Sequence, residues 1–252
     1  MNNVYIMSAN RSALGGFGGA LKNHCPVDLG TLVAKEAIVR SGYEANEVEH
    51  AVFGNVIHTE PRDMYVSRVI ALQAGMDKAS AALTVNRLCG SGLQAIVSAS
   101  QILMLGDASV AMAGGVEVMS NGAHIVQGFR WGSRMGDGQV HDMMLGALHD
   151  PFGHGHMGIT AENISSRYQI SREMQDEFAL TSQKRAYKAI ENGAFKDQIL
   201  PIEIKTRKGI EIFEIDEHPK PETSMETLTG LRTAFKKDGV VTAGNASGIN
   251  DG

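Results

Sequence analysis

Cys89 is the residue best set to do chemistry in this chain. It stands in the run Leu83-Thr84-Val85-Asn86-Arg87-Leu88-Cys89-Gly90-Ser91-Gly92-Leu93-Gln94-Ala95-Ile96, between a β-prone stretch and an apolar, Ala-rich helical pattern. That order reads strand, sharp turn, helix, with the thiol at the helix N-terminus. A thiolate there faces free backbone N–H groups and the positive end of the helix dipole. Gly90 and Gly92 let a substrate approach the sulfur closely. The layout follows the logic of a nucleophile elbow, with sulfur in place of oxygen, and points to covalent catalysis. Free cysteines are also common core filler. A filler thiol needs no flanking glycines, so the local setting favours the nucleophile.

Other reactive residues are less well placed. His149, His154 and His156 crowd one glycine-rich stretch. No cysteine pair or paired carboxylates at ligand spacing stand beside them, so we expect pocket-lining histidines and no metal. Cys25, in His24-Cys25-Pro26, begins a helical pattern without a glycine setting and reads as structural. The turn containing Gly15, Gly16, Gly18 and Gly19 could cradle phosphate, but a lone glycine turn is weak support. The stretch from Gly244 to Gly252 reads equally as an ordinary turn and as a ligand loop.

The elements that must position Cys89 alternate. Val4–Ala9 reads as a strand, and Pro26 starts a helix running to about Arg40 that Gly42 ends. His50–Ile57 reads as a strand and Tyr65–Ala74 as a helix. Leu83–Asn86 delivers Cys89, the next helix ends at Gly106, and Ser109–Ala113 is a further buried strand. This alternation implies a layered α/β fold with a mostly parallel sheet between helices. The texture then changes: glycine, methionine and histidine dominate Asn121–Gly158, too long a stretch for a bare loop. We expect an inserted α+β subdomain with a helix over Arg172–Asn192, capped by Ser171. A hairpin is expected around Lys208-Gly209, and His218–Leu231 reads as polar and irregular. The expected divisions are an α/β part over 1–118, an insertion over 119–242, and a segment over 243–252 that returns to the first part and breaks off.

Bulk properties exclude several function classes. The 252 residues are 43% hydrophobic, enough for a sizeable core, and the net charge is -5 with no basic tract. No nucleic acid is expected as partner. Two cysteines fit a reducing compartment. No apolar run reads as long enough for a membrane span, and the N-terminus lacks the form of a signal peptide, so a cytoplasmic location and no membrane partner are expected.

Four motifs together resemble the thiolase family. They are Asn86-Arg87-Leu88-Cys89-Gly90-Ser91-Gly92, Ala113-Gly114-Gly115-Val116-Glu117-Val118-Met119-Ser120, Gly155-His156-Met157-Gly158-Ile159-Thr160-Ala161-Glu162-Asn163, and the final Thr242–Gly252 run. They follow the family's order and spacing, and the resemblance covers the whole chain. It implies the first of two similar α/β halves, with the inserted domain that holds coenzyme A. By that resemblance Cys89 is the acyl-accepting nucleophile, and its backbone N–H helps form the oxyanion hole. His156 and Met157 match residues along the pantetheine and acyl channel, and Leu148, Ala234 and Phe235 would line it. Ser247 matches the serine that hydrogen-bonds the pantetheine arm, flanked by Ala243 and Gly248. Lys220 falls where the family often has an arginine near the CoA phosphates. Glu117–Ser120 would form a structural turn beneath the nucleophile.

The resemblance further implies condensation of two acetyl-CoA molecules to acetoacetyl-CoA, or the reverse thiolysis. No cofactor besides the CoA thioesters is expected, and the assembly would be a homodimer or homotetramer. The family's activating histidine, second cysteine and water-binding asparagine belong to its other half, so the 252 residues alone are expected to turn over negligibly. The rival readings are a degradative 3-ketoacyl-CoA thiolase of broader chain length and a non-catalytic CoA- or lipid-binding relative.

Overall fold

The computed structural model describes residues 3–132 and 134–252. The chain forms two compact units. One comprises Met1–Ala123, Asp197–Glu214 and Asn250–Gly252; the other comprises His124–Lys196 and Ile215–Ile249. The expected divisions at 118/119 and 242/243 therefore shift. Residues 197–214 join the first unit because Ile199 and Leu200 pair in parallel with Arg11 and Ser12, and Arg40 donates to the Asp197 carbonyl. On the returning side only Asn250–Gly252 belong to the first unit: Asn250 and Asp251 pair antiparallel with Gly16 and Gly15.

The first unit is built on a three-stranded parallel sheet. Helix α1 (Pro26–Ser41) begins at Pro26 and ends where Gly42 adopts φ 77°. Strand β1 (His50–Gly54) follows, then α2 (Val66–Gln73), β2 (Ala81–Val85), α3 (Ser91–Leu105) and β3 (Ala111–Gly115). The sheet runs β2-β1-β3, with His50 opposite both Ala81 and Ala111. Small residues of α3 make the fit: Ala95 and Ala99 are buried against Val52, with Val85, Ile102 and Ala111 packed around them. A hairpin of β4 (Ile202–Thr206) and β5 (Gly209–Phe213) buries Ile202 and Phe213 at its open end.

Three expectations about this unit change. Val4–Ala9 joins no sheet; Tyr5 and Ile6 are largely exposed, and the segment is tied to α1 by Ser8 to the Ala37 carbonyl, as is the next residue, Asn10, to the Val33 carbonyl. Its apolar pattern is strand-like, but a strand also needs a neighbour. Instead a cavity of about 1120 Å³ is lined by this segment, α1, α3 and β3. The last sheet strand runs Ala111–Gly115 rather than Ser109–Ala113, because its register is set by pairing with His50–Gly54. Leu88–Leu105 is long and apolar enough by composition to cross a membrane, contrary to the expectation from sequence, although its small-residue side packs on the sheet.

The second unit holds helices α4 (Met143–Ala147), α5 (Met157–Tyr168), α6 (Arg172–Glu191) and α7 (Met225–Thr229). Ser171 caps α6, accepting from the Met174 N–H. Helix α7 lies within the stretch expected to be irregular; Ser224 and Thr227 form a capping box that starts it.

Candidate active site

The turn that carries Cys89 is built by its neighbours. Ser91 Oγ accepts from the Arg87 N–H at 2.9 Å and donates to the Leu88 carbonyl at 2.6 Å. The Ser91 N–H also donates to Leu88, and the Asn86 side chain accepts from the Leu88 N–H. Leu88 is held at φ 48°, a left-handed conformation that costs a leucine about 1 kcal/mol or more. Helix α3 starts at Ser91, so the thiol stands two residues before the first helical residue rather than on it; Gly90 is the cap. Cys89 is exposed.

Glycines bring that turn against the sheet. A Cβ on Gly54 would lie 2.6 Å from Ser91 Cβ and 2.8 Å from its backbone carbon. One on Gly115 would lie 3.4 Å from Gly92 Cα, whereas one on Gly92 would meet nothing within 4 Å. Beyond β3, the Glu117 carboxylate accepts from the backbone N–H groups of Val56 and Ile57 and from Asn55 Nδ2. Burial holds its pKa above the ordinary carboxylate value. Ser120 donates to Asp251 through its N–H and hydroxyl. Glu117 and Ser120 thus tie their turn to the Asn55–Ile57 segment and to Asp251. Cys25 behaves as a structural thiol: it donates to Asp28 Oδ2 at 2.9 Å, and burial followed by that hydrogen bond pushes its pKa up to about 12.

The second unit gathers most of the remaining candidates. His156 caps α5, its Nδ1 accepting from the Gly158 N–H at 3.0 Å, so the neutral ring carries its proton on Nε2. The Phe235 ring stacks on His156 with centroids 4.7 Å apart, and His149 meets His156 edge-on at 5.1 Å. Gly158 is what admits Phe235: a Cβ there would stand 2.2 Å from the ring. Burial, and then the charge of His149, lowers the His156 pKa. Met157 is half-exposed, and its N–H donates to the Leu148 carbonyl at 2.8 Å. Ala234 donates to Val241, and Thr233 pairs with Thr242, which closes a hairpin around Phe235.

Ala243, Ser247 and Gly248 are exposed in the turn that follows. Lys220 stands apart from this group, exposed, with its backbone N–H on Gln183 of α6. Among the described residues, no group of three or more His, Cys, Asp or Glu side chains could hold a metal ion. Sequence reasoning missed the buried acids of this unit, Glu162 and Asp176. Glu162 sits inside the quoted Gly155–Asn163 motif, which was the one available signal.

Residues 4–252 match the family described as thiolase, N-terminal domain. A beta-ketothiolase of Cupriavidus necator is 55% identical over 249 residues, spanning 98% of this chain and 63% of the relative. The crystal structure of the Bacillus anthracis acetyl-CoA acetyltransferase superposes with a TM-score of 0.95 at 47% identity, covering 100% of this chain and 64% of that one. Human mitochondrial 3-ketoacyl-CoA thiolase in complex with CoA gives a TM-score of 0.93 at 38% identity, covering 98% and 62%. The chain therefore spans a little under two thirds of the length of the relatives it matches.

Proposed function

The chain belongs to the thiolase family, and from that premise we propose that the complete protein is an acetyl-CoA C-acetyltransferase working through S-acetyl-Cys89. The Cys89 thiolate attacks the thioester carbonyl of one acetyl-CoA. The bond from that carbon to the CoA sulfur breaks, and CoA leaves as a thiolate that takes up a proton. A second acetyl-CoA loses an α-proton, and its carbanion attacks the acetyl carbon on Cys89. The Cys89 carbon–sulfur bond then breaks, giving acetoacetyl-CoA and the free thiolate. Thiolysis is the same sequence reversed.

The observation that carries this reading is the exposed Cys89 thiol, in a turn braced by Ser91 and open beside Gly92. His156, Met157, Leu148, Ala234 and Phe235 would line the pantetheine and acyl channel. Ser247, flanked by Ala243 and Gly248, would hold the pantetheine arm, with Lys220 toward the CoA phosphates. No cofactor is needed beyond the CoA thioesters. The complete protein would be a cytoplasmic homodimer or homotetramer. The 252 residues by themselves would turn over negligibly, and thiolysis assays on that segment would check this.

Mass spectrometry after treatment with acetoacetyl-CoA tests the central step. An acetyl adduct on Cys89 is expected; its absence, with CoA still bound, would support a CoA- or lipid-binding relative that does no catalysis. The likeness to a beta-ketothiolase supports a second reading, a broader 3-ketoacyl-CoA thiolase. A chain-length series separates the two, since preference for longer acyl groups would overturn the short-chain assignment.

A further inference from the structure

Two acidic side chains in the second unit are buried almost completely, and nothing in the proposed chemistry uses them: Glu162 is 3% exposed and Asp176 0%. Glu162 lies on α5, one helical turn after Gly158. Its carboxylate accepts from the Val240 N–H at 2.9 Å and the Val241 N–H at 2.8 Å, both on the returning side of the Phe235 hairpin. Gly239 leaves the space: a Cβ there would stand 2.3 Å from Glu162 Oε1. Asp176 acts one step further along. Its Oδ1 accepts from Asn245 Nδ2 at 2.8 Å and its Oδ2 from Arg172 at 2.7 Å. Asn245 Oδ1 in turn accepts from the Thr242 N–H, and Asn245 Nδ2 also reaches the Val240 carbonyl. One carboxylate thus grips the hairpin and the other grips the turn that leads to Ser247.

We propose that Glu162 is a positioning residue of the coenzyme-holding surface, latching the 240–241 strand to α5 so that Phe235 stays stacked on His156 and the Ser247 turn keeps its place. The inference rests on the reading of these residues given under Proposed function. Helix α5 presents His156 at its first end, Gly158 beneath the Phe235 ring, and Glu162 one turn later against the other strand of the same hairpin. Gly158 fixes how closely the ring approaches; Glu162 fixes where the strand carrying it returns. A buried carboxylate bound to two backbone N–H groups holds more firmly than neutral acceptors do. Replacing it leaves both N–H groups underserved in a buried setting.

The test compares wild type, Glu162→Gln and Gly239→Ala in the complete protein. The glutamine variant removes the charge and one acceptor; the alanine variant keeps the carboxylate but pushes it off its seat. Three quantities are measured: KM for acetoacetyl-CoA, kcat for its thiolysis, and acetylation of Cys89 by S-ethyl thioacetate, which has no pantetheine arm. In both variants KM should rise about tenfold, while kcat and the small-thioester reaction stay within about twofold of wild type. Unchanged KM in both variants, with an active wild type, overturns the latch alone. A parallel fall in kcat, KM-independent and matched by a loss of thermal stability, also overturns it and leaves Glu162 as a fold residue only. If wild type shows neither CoA turnover nor CoA binding, the underlying functional reading fails as well. Should Glu162→Gln not fold, Gly239→Ala decides the question.

Discussion

His156 is kept neutral by its surroundings. Its Nδ1 must stay unprotonated to accept from Gly158, and burial together with His149 pulls its pKa below the ordinary 6.5. A base whose folded pKa is lowered binds fewer protons folded than unfolded between the two values. Its stabilising contribution is therefore complete above pH 6.5 and declines as pH falls through 6.5 toward the lowered folded value. Urea midpoints should drop between pH 7.5 and 5.5 in wild type, and drop less in His156→Asn, which caps without titrating. Cys89 permits a blunter prediction. Cys89→Ser in the complete protein should lose thiolysis by about a thousandfold or more and show no acetyl adduct. The Cys89 turn was legible in the sequence because its signal is local: a strand, and shortly after it a thiol, two glycines and a serine in four consecutive places. Glu162 and Asp176 were not. An acid within a polar helical pattern looks solvated, and the partners that bury Glu162 lie 78 and 79 residues away.

Helices and strands fix the reach of these side chains. The end of β1 meets the start of α3 at Gly54, where Ser91 leaves no room for a methyl group. Gly54→Ala should push Ser91 back, disturb its bonds to Arg87 and Leu88, and cost about 1–3 kcal/mol of stability. Cys89 acetylation should slow about tenfold, since the turn that aims the thiol shifts with Ser91. Guanidinium unfolding and the acetylation rate check the two halves of that statement. Gly158→Ala is the counterpart in the second unit. With a Cβ 2.2 Å from the Phe235 ring, the stack on His156 must open. Stability should fall by about 1–3 kcal/mol, and KM for CoA esters should rise, as read by calorimetry and steady-state assays. Element positions were largely visible beforehand: α1, α2, α3 and α6 start and stop near their proline, serine and glycine signals. Helix α5 was missed because its glycine, threonine and serine content blurs the apolar period, and its start depends on a histidine cap that sequence rules do not favour.

For the molecule as a whole, family and fold class came through in the order and spacing of four motifs, while the partition of the chain did not. Residues 197–214 look like a continuation of the insertion, and it is the pairing of Ile199 and Leu200 with Arg11 and Ser12, with the Arg40 bond to Asp197, that ties them to the first unit. Pairings that bridge nearly two hundred positions leave no local mark. The apolar segment Val4–Ala9 illustrates the same point, since its pattern announces a strand without naming a neighbour. Among the described residues β3 is paired on one side only, and its other side borders the 1120 Å³ cavity. Unmatched amides and carbonyls along an oily hollow form a template for intermolecular strand addition. The 252 residues on their own should therefore be poorly soluble, bind the dye ANS, and associate further as concentration rises. Light scattering would follow that association. A charge at the 82% exposed Ile6, as in Ile6→Lys, should slow it, acting as a gatekeeper against clumping rather than as a repair of the fold.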